Sequence, residues 1–244
     1  MKSLAAFLFF ISISAQAQLV AAFDHPMLHP WYPKINQFLR TNGPIPLTVQ
    51  KCGLVNAFFD RDNGITVCEE IASDAAAHLQ HSGLLNRDQE TANMLISGNF
   101  LFATFHELGH AMIYRHKIPI TGREEDAADE FAAALFLQSN DPRWLLGVIA
   151  VYADKANSLK GVLGSLKRSR VTDEHSLDAQ RLAQLVCWGV GKSPATFTPI
   201  AVKIGMTQDR IQRCPGEYES MLRNSDILFS PAFASTQAPP APRP

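Results

Sequence analysis

Residues Met94–Arg115 read MLISGNFLFATFHELGHAMIYR. Their apolar side chains, Met94, Leu95, Ile96, Phe100, Leu101, Phe102, Phe105, Leu108 and Met112, fall on nearly every side of a 3.6-residue helix, and no turn-forming cluster interrupts them. The pattern predicts one long helix, from about Asp88 to Arg115, buried through the centre of a domain. Inside it stand His106, Glu107 and His110, polar groups that are costly to bury without strong partners. The rest of the fold is therefore read outward from this helix.

His106-Glu107-Leu108-Gly109-His110 has the His-Glu-x-x-His spacing. Residues four apart on a helix lie about 40° apart in azimuth and one turn along the axis, so both imidazoles can reach one ion. The intervening Glu107 then lies beside the ion, where a carboxylate can take a proton from an activated water as general base. A tetrahedral catalytic site needs a third protein ligand and an open position. His116 has a spacing used by some zinc proteases, but those turn the chain at a Gly where this one has Ile113. In a continuous helix His116 lies about 240° round from His110 and points away; a position near a helix C-terminus suits it as a cation. The other source is Gly122-Arg123-Glu124-Glu125-Asp126-Ala127-Ala128-Asp129, which follows a Pro119-containing reversal and opens a helix to Gln138. Helix geometry sets both Glu124 and Glu125 near the edge of its apolar face and leaves the choice between them open.

Upstream of the central helix, Leu47–Gln50, Leu54–Phe59 and Ile65–Cys68 read as strands, the last two joined by an Asp62-Asn63-Gly64 turn. A small antiparallel sheet is expected, with Ile65–Cys68 as an edge open to an extended peptide. A helix begins at Glu69 and breaks at Ser82-Gly83. Downstream, further helices are expected from Asp141-Pro142 through Tyr152, over Leu177–Trp188 and over Gln208–Leu222. The fold class is α+β, mainly helical, with the sheet before the motif helix.

The first residues have the form of an export signal: Lys2, an apolar Leu4–Ile13, and Ala15-Gln16-Ala17 as a cleavage site. That run is too short to span a bilayer, so residues 1–17 are expected to be removed and the protein to be exported, to the periplasm or beyond the cell, with no lasting membrane insertion. Residues 18–229 form the expected domain, and the Pro/Ala-rich 230–244 an extended or disordered tail. Four cysteines in an oxidising compartment imply two disulfides; local pairing, Cys52 with Cys68 and Cys187 with Cys214, is expected. Twenty-two basic against 23 acidic side chains, without like-charged blocks, give no footprint for nucleic acid. His25, His29, His78 and His81 lack metal-ligand spacing and read as surface residues.

Five stretches, Cys52-Gly53, Asn56-Ala57-Phe58, His106–His110, Gly122–Asp129 and Asp173–Arg181 with Cys187-Trp188, resemble the secreted bacterial metallopeptidase family of domain of unknown function 4344. The resemblance extends over most of the mature chain. More broadly, Glu125-Asp126-Ala127-Ala128-Asp129 is similar to the Glu-x-x-Ala-Asp of zincin-like peptidases that use a Glu as third zinc ligand. The resemblance implies a zincin-like fold and a Zn2+ site of His106, His110 and Glu125. It also implies that Asp129 orients a ligand imidazole, His106. The expected activity is zinc-dependent hydrolysis of peptide bonds, with Glu107 as base and a peptide or protein as partner. His175, in a loop before a helix and beside an acid, is the candidate oxyanion donor; Tyr114 and Tyr152 are alternatives. A non-catalytic exported zinc-binding protein would have no use for Glu107, whereas hydrolysis of a non-peptide amide would use the same constellation.

Overall fold

The computed structural model describes residues 19–21, 39–86, 88–138, 141–160 and 178–233. The expected signal segment, His25, His29, His175 and everything beyond Phe233 lie outside them. Strands β1 (Leu19–Ala21), β2 (Ile45–Gln50), β3 (Ala57–Asp60) and β4 (Gly64–Cys68) form one sheet in the order β1-β2-β4-β3. Among the described residues seven helices follow: α1 (Glu70–His81), α2 (Gln89–His116), α3 (Glu124–Gln138), α4 (Arg143–Lys160), α5 (Asp178–Lys192), α6 (Pro194–Lys203) and α7 (Gln208–Phe229). The class is α+β, as expected, and no described helix is long and apolar enough to cross a membrane.

The sheet is mixed rather than antiparallel. β3 and β4 form the hairpin that the turn residues specify, with Phe58 opposite Thr66, but β2 runs parallel to β4. Local turn chemistry encodes only the hairpin; the chain passes from β2 out to β3 before β4 returns to lie between them. As a result Ile65–Cys68 is interior, and the edge next to the motif helix is β3. The turn is held by Asp60, whose Oδ1 accepts from the amides of Asp62 and Asn63. It closes on Gly64, where φ is +84° and a Cβ would stand 2.3 Å from the Pro46 carbonyl oxygen. Only glycine meets both conditions.

Both disulfides pair locally, Cys52–Cys68 and Cys187–Cys214. The first ties the loop after β2 to the end of β4. Glu70 tightens the same loop by accepting from the Cys52 and Gly53 amides, which hold its carboxyl below the usual range. Farther along, α1 is clamped to α4 through Asp154, which accepts from His78 and His81 at 2.7 and 2.8 Å. These two histidines are therefore a helix clasp, one of them half-buried.

α2 starts where Asp88 caps the Thr91 amide and ends where Lys117 turns left-handed at φ 52°. Phe100, Leu101, Phe105 and Leu108 are fully buried within it. It is flanked by α3 and α4, and its crossing with α4 has no spare room. A Cβ on Gly98 would come within 2.4 Å of the Trp144 carbonyl oxygen, and one on Gly147 within 2.2 Å of the Leu95 carbonyl oxygen. Each helix thus rests a glycine against the other's backbone.

Two further features depart from expectation. α6 was not anticipated, because Pro194 and Pro199 make its sequence resemble a loop; Phe197, fully buried against Gly189 of α5, anchors it. The packed chain also continues past Ser230. Residues Ser230–Ala232 form a 3-10 turn, the Arg40 amide donates to the Ala232 carbonyl at 2.7 Å, and Phe233 stacks on Phe131. Residues 230–233, expected to belong to an extended tail, are therefore packed on the domain, because Ala232 and Phe233 find places in or against the core.

Gly147→Ala gains about 1 kcal/mol of helix propensity but has to prise α4 from α2. A net loss of about 1–3 kcal/mol is expected in urea denaturation, and an unchanged or raised midpoint would show that the crossing has slack.

Candidate metal centre

The central helix brings His106 and His110 one turn apart on the side facing α3. α3 comes unusually close there, because residue 109 is glycine: a Cβ at that position would stand 3.0 Å from Ala128 Cα. This contact carries the acidic first turns of α3 onto the imidazoles. Glu125 reaches both, with one carboxylate oxygen 3.1 Å from His106 Nε2 and the other 3.3 Å from His110 Nε2. The two Nε2 atoms are 3.2 Å apart. His106, His110 and Glu125 form one group of donor atoms able to hold a metal ion.

The outer nitrogens are committed elsewhere. His106 Nδ1 lies 2.8 Å from Asp129 Oδ1, and His110 Nδ1 lies 2.8 Å from Glu124 Oε1. Each carboxylate can only accept, so each Nδ1 carries a hydrogen, and the Nε2 lone pairs turn toward one another and toward Glu125. Lone pairs and a carboxylate converging on one point require positive charge between them. The separations suit an ion: two ligand atoms each 2.0–2.1 Å from a tetrahedral zinc lie roughly 3.3 Å apart.

Asp129 is anchored in turn by Arg181 of α5, whose Nε and Nη2 donate to its two oxygens at 2.7 and 2.6 Å. Burial would raise the Asp129 carboxyl; the Arg181 guanidinium, with help from His106, holds it below the ordinary range instead. Burial likewise opposes charge on His106, but the hydrogen bonds that the charged imidazole donates to Asp129 and Glu125 outweigh it and its pKa is raised to about 9. His110 moves in the same direction, with burial opposed by Glu125 and Glu124. The centre attracts a cation strongly enough to hold a proton well above neutrality.

Glu107 is buried and lies at the boundary of two spaces. On one side is an open cleft of about 850 Å³ bounded by β3, His110, Glu124, Glu125 and Tyr114. On the other is a smaller chamber of about 190 Å³ that also touches His106.

Residues 18–228 match the DUF4344 family, whose description reads "Putative metallopeptidase". The chain belongs to this family. No curated protein and no solved structure matches it. For this DUF4344 member, two pairings at the centre, Glu124 with His110 and Arg181 with Asp129, go beyond what the sequence reading gives. That reading weighs Glu124 only as a rival to Glu125; adjacent helical residues point about 100° apart, and the pair in fact serves opposite edges of His110. Arg181 was quoted as part of a matching stretch, but its partner lies 52 residues away, and nothing local announces the pairing. His116 donates to the Arg40 carbonyl at 2.6 Å, away from the centre. Tyr114 stands at the cleft wall under Arg61, and Tyr152 under Arg181.

Removing the guanidinium leaves Asp129 a buried carboxylate without its fixed counter-charge and frees it to rotate away from His106. Arg181→Ala should weaken zinc binding about 10–100-fold in competition with a chromophoric chelator. Arg181→Lys should recover only part of that, since an ammonium cannot supply two parallel bonds. Affinity within twofold of the parent in both variants would exclude this positioning role.

Proposed function

We propose that this DUF4344 protein is an exported zinc peptidase in which His106, His110 and Glu125 hold the ion and Glu107 is the general base. The observation that carries this reading is the convergence of two imidazole Nε2 atoms and both Glu125 oxygens within 3.1–3.3 Å, with Glu107 beside them at the floor of an open cleft. A purely structural site would be closed and would have no use for that carboxylate.

Zinc, when bound, supplies a Lewis acid that activates water and polarises a carbonyl. The chain's own residues do the remaining work. Glu107 accepts the proton of the attacking water and passes it to the departing amine, a transfer favoured by its shielding from bulk solvent. Asp129 and Glu124 hold the imidazoles in the tautomer that exposes Nε2, and Arg181 fixes Asp129. The substrate runs in extended form along β3, an edge strand that borders the cleft through Ala57, Phe58 and Phe59. Peptide main chain is the partner such an edge fits. His175, outside the described residues, stays the candidate for oxyanion support, with Tyr114 at the cleft wall as its alternative.

The decisive experiment compares Glu107→Gln and Glu125→Gln on denatured casein with zinc supplied. Glu107→Gln is expected to lose hydrolysis by at least about a hundredfold while keeping one zinc per chain; Glu125→Gln is expected to lose the zinc. Normal turnover by the Glu107 variant would overturn the assignment.

Proton competition gives a second test. With a raised pKa of about 9, His106 binds a proton at neutral pH that zinc must displace. Zinc binding at pH 7 should therefore release about one proton from this imidazole, read in weakly buffered indicator. Affinity should climb with pH up to about 9 and then level off, as proton competition at this imidazole ends. Uptake without proton release would mean that the ion does not contact His106.

A further inference from the structure

The 190 Å³ chamber behind Glu107 has no part in holding the ion, yet it opens beside the place where the scissile bond must lie. It meets the cleft at Asn56, Ala57 and Glu107, which border both spaces. Its walls come from α1, α2 and α4, with the start of β3 and Arg181 of α5, and Ile71, Ala75, Phe102, Ala103, Val148 and Val151 give it an apolar side. A dry cavity of about 150 Å³ takes up benzene, so this one has room for a phenyl ring or a branched aliphatic chain.

Charged groups also border the chamber, and its two fixed cations are engaged. Lys155 Nζ lies 2.8 Å from Asp74 Oδ2, and Arg181, over the Tyr152 ring, donates from Nε and Nη2 to Asp129. An incoming carboxylate would enter a half-buried space beside Glu107 with those cations already paired, and would lose hydration without gaining a partner; an ammonium paired with Glu107 would disable the base on which the peptidase reading depends. An apolar side chain loses nothing and buries its surface. The approach has the same character. Leu54 and Val55, on the loop pinned by Cys52–Cys68 and Glu70, are about half exposed, as are Phe58 and Tyr114 across the cleft. Apolar groups this exposed, gathered around one opening, are a common mark of a binding surface.

We infer that the chamber is the specificity pocket of the site, taking an uncharged side chain of leucine-to-phenylalanine size next to the bond that is cut. The inference rests on the peptidase reading above and adds to it the substrate class: polypeptide segments rich in large apolar residues.

The test is a library of quenched fluorescent peptides, randomised at the positions flanking the cleaved bond. Cleavage points are mapped by mass spectrometry using the zinc-loaded full-length mature protein. One flanking position should favour Leu, Met or Phe over Gly, Asp and Lys by roughly ten- to a hundredfold in kcat/KM. Ala103→Phe, which fills the chamber from α2, should collapse that ratio toward one. Asp74→Asn, at the rim, releases Lys155 from its partner and should raise the relative turnover of peptides with Asp or Glu at that position. Zinc content and melting temperature check folding in each case, and if Ala103→Phe fails to fold, the Asp74 variant carries the test. Uniform cleavage, a wild-type preference for charge, or a preference unmoved in the folded variants would overturn the pocket and leave the peptidase standing. No cleavage of any peptide by the zinc-loaded wild type would overturn the peptidase reading and the pocket with it.

Discussion

The bidentate pairing of Arg181 with Asp129 is the interaction on which the centre depends. His106 and Asp129 are both buried, and neither could be ionised or oriented there alone, because desolvation would favour neutral, mobile forms. The guanidinium fixes the carboxylate, the carboxylate fixes the imidazole, and the imidazole presents its remaining lone pair at the point that Glu125 also faces. Three helices are joined by this chain, α5 to α3 to α2. Its cost in lost hydration is offset by hydrogen bonds of nearly ideal length at every link. The relay thus both holds the helices in register and sets the electrostatics of the cleft.

Glycine sets the distances over which the relay works. Gly109 lets the backbone of α3 approach the motif helix, while Gly98 and Gly147 let α4 rest against it about three turns earlier. Were α3 held off by even one methyl group, Glu125 would have to stretch for nitrogens it now meets at van der Waals range. Gly109, just before His110, is therefore as much a part of the site's geometry as the polar groups around it. It acts by being small, an effect invisible to a reading that looks only for chemistry-bearing side chains.

How much could be read from the sequence follows from the range of each constraint. The motif helix, its start near Asp88, the hairpin turn at Asp62-Asn63-Gly64 and the acidic opening of α3 are encoded within a few residues, and each is where the pattern set it. The parallel pairing of β2 with β4 is a contact between strands separated by another strand, so the local turn signal suggested an antiparallel sheet. α6 was hidden by Pro194 and Pro199, whose helix-breaking tendency is overcome by burial of Phe197. Glu124 and Arg181 illustrate the same limit at the centre. Periodicity gave the face that carries the acids, but which acid meets which nitrogen depends on a crossing angle, and the guanidinium arrives from a helix far along the chain.

The loop between β2 and β3 ties these elements to an environment. Its conformation is fixed at one end by the Cys52–Cys68 bond and braced by Glu70 at the Cys52 and Gly53 amides, and the residues just beyond it, Asn56 and Ala57, separate the cleft from the chamber. A short strand at a sheet edge has little to hold it except such anchors. The bond forms and persists only under oxidising conditions, so the wall dividing the two spaces is set firmly only where disulfides survive. Reduction would leave His106, His110 and Glu125 in place, since none of their helices is held by that bond, but it would loosen the edge that the proposed reading gives to an extended substrate. Affinity for the ion and competence toward a substrate are therefore separable in this fold, the first built into the helices and the second into a disulfide-braced strand.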